Sequence, residues 1–239
     1  MSHPADDIRV YGRPPVRSQT RGMATEQLTF AEELMLLAHR ETDGKQLIPN
    51  NVLNISLTAA ELAELAALGK VEVRGKDLAV VDKRPVGDAE LDAVLARMVK
   101  VGKALPAARW LIMINPVRKH RHYLRRLSER GAFKADRSRV LGLIPVERYG
   151  YDDPALPRAL RERLDKVIRG QKPDARTVTL LALAHRSGVL RRLFSTGKRV
   201  EQLVQDDWAG QAVKAYVDKT TTKADDSGDS VTILAAGGS

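Results

Sequence analysis

Cysteine is absent from the sequence, which excludes disulfide bonds, thiolate nucleophiles and cysteine-ligated metal sites. Aromatic residues make up only 4% of the chain, so no platform for stacking nucleic-acid bases is evident. No apolar run approaches the length of a membrane-spanning helix, and the first residues lack the apolar segment of a secretory signal. We therefore expect a cytoplasmic protein whose contact with a membrane, if any, is peripheral.

Positive charge is what the sequence has in excess. Forty Lys and Arg residues against 30 Asp and Glu residues give a net charge of +10 over 239 residues. Nine basic and two acidic residues fall between Arg118 and Arg139, so a net +7 belongs to this one segment. A segment of this kind attracts an anionic lipid surface, a nucleic acid or another acidic surface.

Composition divides the chain into three parts. Residues 1–23 contain prolines, several arginines and few large apolar groups, so we expect a disordered basic arm. Residues 24–219 are predicted to form a single helical domain, since a hydrophobic content of 43% is enough for a sizeable core. Residues 220–239 are mostly small and polar and are predicted to be a disordered tail.

Capping signals predict the first two helices. Thr29 and Glu32 have the spacing of a capping box and open a helix with an apolar inward face. Residues 46–56 look like a loop interrupted by a proline. Thr58 and Glu61 form a second capping-box signal, which predicts that the second helix begins there.

Turn residues and apolar spacing predict the remaining elements. Gly75 separates two short apolar segments and indicates a hairpin. Asp88 is placed to cap a third helix, and Pro106 to begin a fourth. Apolar residues recur at helical spacing over 156–168, and again over 200–216 in a final helix or helix pair.

The stretch from Arg176 to Phe194 is predicted to be the buried centre of the fold. It has almost no polar face between Val178 and Ala184, and Asp174 and Thr177 can cap its start. A helix buried on nearly every side must be surrounded by others. We therefore predict a mainly α fold, a compact helical bundle in which amphipathic helices wrap a buried central helix, with short β-hairpins.

A basic helix and a second hairpin follow the fourth helix. Residues 118–130 offer only a narrow apolar stripe, and the remaining positions are mostly Arg and Lys. The segment after them alternates charged and apolar residues around Gly142, which indicates a hairpin with an apolar tip. This tip consists of Leu141, Leu143 and Ile144.

Patterns for catalysis or metal binding are not found. His120 and His122 are two residues apart, so on a helix they point to different faces, and no carboxylate completes a metal site. His185 is expected to be a hydrogen-bonded buried histidine. Phosphate loops, nucleophile elbows and zinc-binding helices are absent. We predict a non-enzymatic protein without a cofactor or a metal.

Three stretches of the sequence resemble the Golgi phosphoprotein 3 family, which includes bacterial members. LTFAEELMLLAHRETDG at 28–44 is similar to the family's opening helix, and LTAAELAELAALGKVEV at 57–73 to its second helix and wing. DARTVTLLALAHRSGVLRRLF at 174–194 is the closest match. The resemblance implies a mainly helical domain and a peripheral role at the cytoplasmic face of a membrane, as an adaptor for a protein cargo.

The family's eukaryotic members bind phosphatidylinositol 4-phosphate through a tryptophan and several arginines. In this chain the tryptophan position falls at Pro49, and the arginine of the second helix falls at Thr58. Two further family arginines, three residues apart, fall at Val117 and His120 without a gap. One residue of slip aligns them instead with Arg118 and Arg121, which keep the arginine spacing.

The predicted function is binding of anionic, phosphoinositide-like headgroups by the basic helix, through Arg118, His120, Arg121 and Arg125. The apolar tip is predicted to insert shallowly into the bilayer, or alternatively to mediate self-association into a homo-oligomer. Nucleic-acid binding by the same basic surface is the competing interpretation, because phosphate contacts need the same arginines.

Overall fold

The computed structural model describes residues 28–114, 118–140, 144–152 and 154–226. Within these ranges the chain forms helices and two small antiparallel sheets, which confirms the predicted mainly α fold with short hairpins. The helices are α1 (Phe30–Leu37), α2 (Asn50–Ala67), α3 (Ala89–Val101), α4 (Ala107–Ile114), α5 (Lys119–Glu129), α6 (Ala155–Ile168), α7 (Ala175–Arg186), α8 (Leu190–Leu193), α9 (Lys198–Val204) and α10 (Trp208–Asp226). The strands are β1 (Val71–Arg74), β2 (Asp77–Val80), β3 (Leu105–Pro106), β4 (Phe133–Val140) and β5 (Ile144–Tyr151).

The longest buried run of the fold lies in α2. Every residue from Leu53 to Leu65 is buried, and the helix packs against α1, α3, α4, α5, α7, α10 and β1. The prediction that residues 46–56 form a loop is wrong, because α2 already begins at Asn50. Thr58 lies inside the helix, where its hydroxyl donates to the carbonyl of Asn54 at 3.1 Å. A threonine bonded to the preceding turn thus has the same sequence spacing as a capping box.

The buried helix predicted from the sequence is α7. Asp174 caps it by accepting a hydrogen bond from the backbone N–H of Thr177 at 2.6 Å. Leu180 to Ala184 are fully buried, and the helix packs against α1, α2, α6, α9 and α10. Gly188 has a φ of 85° and separates α7 from α8. The core therefore rests on two buried helices that pack against each other, α2 and α7, and not on α7 alone.

Both predicted hairpins are present. β1 pairs with β2, and β2 pairs with β3 in antiparallel register, which brings Leu105 opposite Leu78. β4 pairs with β5 from Phe133 opposite Tyr151 to Val140 opposite Ile144. The second hairpin begins directly after α5, so the two basic elements of the sequence are adjacent in the fold.

The start of α3 and the end of α10 can be compared with the predicted boundaries. Asp88 caps α3, accepting from the N–H groups of Glu90 and Leu91 at 3.1 Å each. α10 continues to Asp226, so the domain boundary expected at residue 219 falls inside a helix. The predicted arm at 1–23 lies outside the described residues. None of the helices in the described ranges is long and apolar enough to cross a bilayer.

Candidate functional site

α5 has one face in the core and the other in solvent. Tyr123 and Leu127 are buried on the inner face, where the helix packs against α1, α2 and β4. Arg118, Arg121 and Arg125 are exposed on the outer face. Their spacing of three and then four residues places them along one side of the helix, over about 10 Å at a rise of 1.5 Å per residue. We call these three residues the arginine stripe.

The arginine stripe is almost free of internal ion pairs. Arg118 and Arg121 have no acidic partner among the described residues. Arg125 lies 3.7 Å from Glu129, one turn along α5, and both side chains are about 70% exposed. An exposed pair of this kind contributes only a few tenths of a kcal/mol. The guanidinium groups of the stripe are therefore available to an external anion.

The other basic residues of the helix turn inward. Lys119 forms a buried ion pair with Glu61 on α2. Arg126 and Arg130 both bind Glu32 on α1, with Arg126 at 2.9 Å from the carboxylate. The sequence pattern does not separate these three cations from the exposed arginines, because their acidic partners lie on other helices far away along the chain.

A buried polar network of Glu61, Lys119 and Tyr123 lies between α5 and α2. The Glu61 carboxylate accepts from the Lys119 ammonium and, at 3.0 Å, from the Tyr123 hydroxyl. Burial raises the pKa of Glu61 to about 7, against the opposing pull of Lys119. Burial and the neighbouring Glu61 raise the pKa of Tyr123. This network fixes the position of α5 on α2.

His120 lies on the buried side of α5, facing α2, and not in the arginine stripe. It is only 8% exposed. Its backbone N–H donates to Oδ1 of Asn54 at 2.8 Å, and its ring Nδ1 lies 3.0 Å from the same oxygen. Burial, reinforced by the charge of Arg121, lowers the pKa of His120. The structure thus places His120 as a positioning residue for the start of α5.

The two family positions on and before α2 carry no charge. Pro49 is exposed at the N-cap of α2. Thr58 is fully buried and bonded within its own helix. Neither residue brings a cation or an aromatic ring to the surface beside the stripe.

The apolar tip of the second hairpin is described only in part. Leu141 and Leu143 lie outside the described residues. The backbone of Ile144 opens β5, opposite Val140. Insertion or self-association by this tip therefore stays a prediction.

Metal-binding geometry is not present in the described part of the chain, where no group of three or more His, Asp or Glu side chains could hold an ion. His120 faces Asn54, whereas His122 is exposed and lies 3.9 Å from Glu90. The two histidines therefore point to different sides of α5, as their spacing predicts.

Comparison with known families identifies a match that covers most of the chain. The family model described as Golgi phosphoprotein 3 (GPP34) matches residues 30–220. This range contains every helix and strand of the fold except the last residues of α10.

Proposed function

The chain belongs to the Golgi phosphoprotein 3 (GPP34) family, and from this premise we propose that it is a non-enzymatic peripheral membrane protein whose arginine stripe binds anionic phospholipid headgroups. The proposal is carried by one observation. Three arginines share one exposed side of α5 without a strong internal partner, while the helix's remaining cations are held inside the fold. The helix thus separates structural charge from available charge.

The chemistry of arginine suits this role. A guanidinium group offers several N–H donors in a planar fork that matches the oxygens of a phosphate. Each basic residue near an anionic bilayer contributes on the order of 1 kcal/mol. Three such residues, on a helix that buried polar contacts already hold against α2, favour weak and reversible docking. Reversible docking is what an adaptor between a membrane and a protein cargo requires.

Selectivity among anionic lipids is proposed to be low. The family's eukaryotic members add a tryptophan and a further arginine to their headgroup site, whereas this chain has Pro49 and Thr58 there. Without those groups the stripe recognises negative charge and phosphate oxygens in general. We therefore expect phosphatidylserine vesicles and phosphatidylinositol 4-phosphate vesicles of equal charge density to bind the protein about equally.

Vesicle flotation tests this function. The protein is mixed with phosphatidylcholine vesicles, alone or containing phosphatidylserine or phosphatidylinositol 4-phosphate, and the floated fraction is measured. We expect recovery with both anionic compositions and little with the neutral one. Arg118→Glu combined with Arg121→Glu should abolish recovery with an unchanged melting temperature, because both side chains are exposed.

A matched control reverses the same amount of charge elsewhere. Arg192→Glu combined with Lys198→Glu changes two exposed residues at α8 and α9 and should float like wild type. Equal recovery with neutral and anionic vesicles would contradict the proposal. Loss of flotation in both double variants would show that only the net charge matters.

Nucleic-acid binding by the stripe is the alternative, because guanidinium groups bind phosphodiesters as readily as headgroups. It predicts a salt-sensitive gel shift with DNA or RNA that the Arg118→Glu and Arg121→Glu variant loses. A gel shift without flotation would favour this alternative.

A further inference from the structure

A second group of exposed cations lies on α3, α4 and the loops beside them. We call it the α3–α4 surface, and it consists of Lys76, Arg97, Lys100, Lys103 and Arg109, together with Ile112. Lys76 lies in the β1–β2 turn, and its carbonyl accepts from the N–H of Ala107 at the start of α4 at 3.2 Å. Lys103 comes just before β3, which pairs with β2 beside that turn. The turn, the loop and the start of α4 therefore place Lys76, Lys103 and Arg109 on elements that meet at β3, and α3, which carries Arg97 and Lys100, leads into that loop.

No acidic side chain among the described residues pairs with these cations. None of the five forms an ion pair within the part of the chain that the structure describes. No Asp or Glu occurs anywhere between residues 93 and 114. The nearest carboxylate on the adjoining strand is that of Asp77, which is half-buried. The surface thus carries a strong local excess of positive charge.

α3 connects this surface to α5. At its start, Asp88 binds Arg126 and Glu90 faces His122, so the first turn of α3 lies beside the arginine stripe. Its exposed side then runs through Ala89, Ala93, Ala96, Arg97 and Lys100. That line contains no acid and spans about 17 Å. Small residues along it let a flat anionic surface approach both groups of cations.

Ile112 distinguishes a bilayer from other anionic partners. It lies one turn after Arg109 on α4 and is 63% exposed, the largest value among the exposed large hydrophobic residues of the described chain. An exposed aliphatic side chain beside cations is the combination found where proteins lie in the membrane interface. Single-stranded nucleic acids are instead bound with aromatic stacking platforms, and the neighbouring Trp110 is fully buried.

We infer that the α3–α4 surface is a second bilayer-contacting surface, in which the five cations meet anionic headgroups and Ile112 enters the boundary between headgroups and acyl chains. This inference rests on the proposed function in that the partner is the same anionic bilayer. It adds a separate set of residues and a wider footprint, which extends from α5 along α3 to α4.

A single fluorescent label tests the contact directly. Because the chain has no cysteine, Ile112→Cys provides the sole attachment point for an environment-sensitive fluorophore. On addition of phosphatidylserine vesicles we expect a blue shift and increased emission from position 112. Gln202→Cys on the exposed side of α9 is the matched control and should show neither change.

Charge removal provides a measurement that does not depend on the label. Lys100→Gln combined with Lys103→Gln should weaken partitioning into phosphatidylserine vesicles by on the order of thirtyfold, if each cation contributes at the usual size. Arg192→Gln combined with Lys198→Gln removes the same charge at α8 and α9 and should change partitioning less than threefold.

The outcomes separate this inference from the proposed function. If vesicles bind the protein through the arginine stripe but the label at position 112 does not respond and Lys100→Gln with Lys103→Gln binds normally, the second surface is refuted and the proposed function stands. If vesicles do not bind the protein at all, both are refuted. Binding of DNA or RNA that requires Lys100 and Lys103, without a label response to vesicles, would also overturn the inference.

Discussion

At the scale of single residues, the buried pair of Glu61 and Lys119 decides how the arginine stripe is presented. Both side chains are almost fully buried, and the Tyr123 hydroxyl donates to the second carboxylate oxygen. A buried ion pair is tolerated when its remaining hydrogen-bonding capacity is met in this way. Removing Lys119 leaves the Glu61 carboxylate without a cation in the core, and an uncompensated buried charge typically costs about 3–5 kcal/mol. The pair therefore holds α5 in one position on α2.

The raised pKa of Glu61 predicts a pH-dependent stability. In the folded protein the carboxyl titrates at about 7, against an ordinary value of 4.5. The folded state therefore binds a proton more readily than the unfolded state does. The stabilising contribution is fully present below pH 4.5 and is lost as the pH rises to about 7. Glu61→Gln has no titrating group at this position, so its free energy of unfolding should not show this decrease between pH 4.5 and about 7.

Urea unfolding at several pH values between about 4.5 and 8 measures this effect. The free energy of unfolding of wild type, minus that of Glu61→Gln, should fall by on the order of 3 kcal/mol across the window. Glu72→Gln, which removes an exposed carboxylate on β1, serves as the control and should leave the wild-type slope unchanged. A difference between wild type and Glu61→Gln that is the same at every pH would contradict the prediction.

At the scale of secondary-structure elements, the second hairpin is fixed to the rest of the fold at Gly44. This residue has a φ of 64°, and a Cβ added to it would lie 1.4 Å from the backbone carbonyl oxygen of Tyr149 on β5. Tyr151 on the same strand donates from its hydroxyl to carbonyls at the end of α1. The turn between α1 and α2 therefore supports the strand that leads to the apolar tip.

Gly44→Ala is expected to destabilise the protein and displace β5. A left-handed backbone conformation costs an alanine about 1–2 kcal/mol. The overlap with the carbonyl oxygen of Tyr149 adds to that cost, because the backbone of β5 would have to move to relieve it. Gly69→Ala is the matched control, because its φ is 67° but a Cβ there meets nothing within 4 Å. Urea unfolding should show a loss at least about 2 kcal/mol larger for Gly44→Ala. Equal losses in the two variants would mean that β5 does not dock on this turn.

The sequence predicted where helices begin better than it predicted which side chains pair between helices. The caps at Thr29, Asp88 and Asp174 identified three helix starts, because a cap is a contact between residues close in sequence. The start of α2 was missed because Thr58 bonds back along a continuous helix. The division of α5 into free and paired cations was also missed. It depends on Glu32 and Glu61, which lie on other helices and which the sequence marked only as capping-box residues, not as partners of α5.

At the scale of the whole molecule, buried carboxylates hold the bundle together while positive charge remains outside. Glu33 binds Arg163 on α6 at 2.9 Å, and Glu64 binds Arg176 on α7 at 3.1 Å. With Glu32 and Glu61 these pairs join α1 and α2 to α5, α6 and α7. All four acidic residues of α1 and α2 are thereby used inside the fold. The cations of the arginine stripe and of the α3–α4 surface, by contrast, are exposed.

This division of charge predicts that salt acts on membrane docking and on folding to different extents. Exposed charges are screened over about 10 Å at 0.1 M salt and about 3 Å at 1 M, whereas buried pairs are screened much less. Raising NaCl from about 0.05 to 0.5 M should therefore reduce the protein bound to phosphatidylserine vesicles by more than tenfold. The melting temperature should shift by only a few degrees. Co-sedimentation and thermal unfolding in the same buffers measure the two effects, and vesicles that retain a trapped dye control for intact bilayers.

Binding that survives high salt would indicate that apolar insertion dominates over headgroup contacts. A melting temperature that falls in step with binding would show that salt acts on the internal ion pairs, which would contradict the separation of structural from available charge.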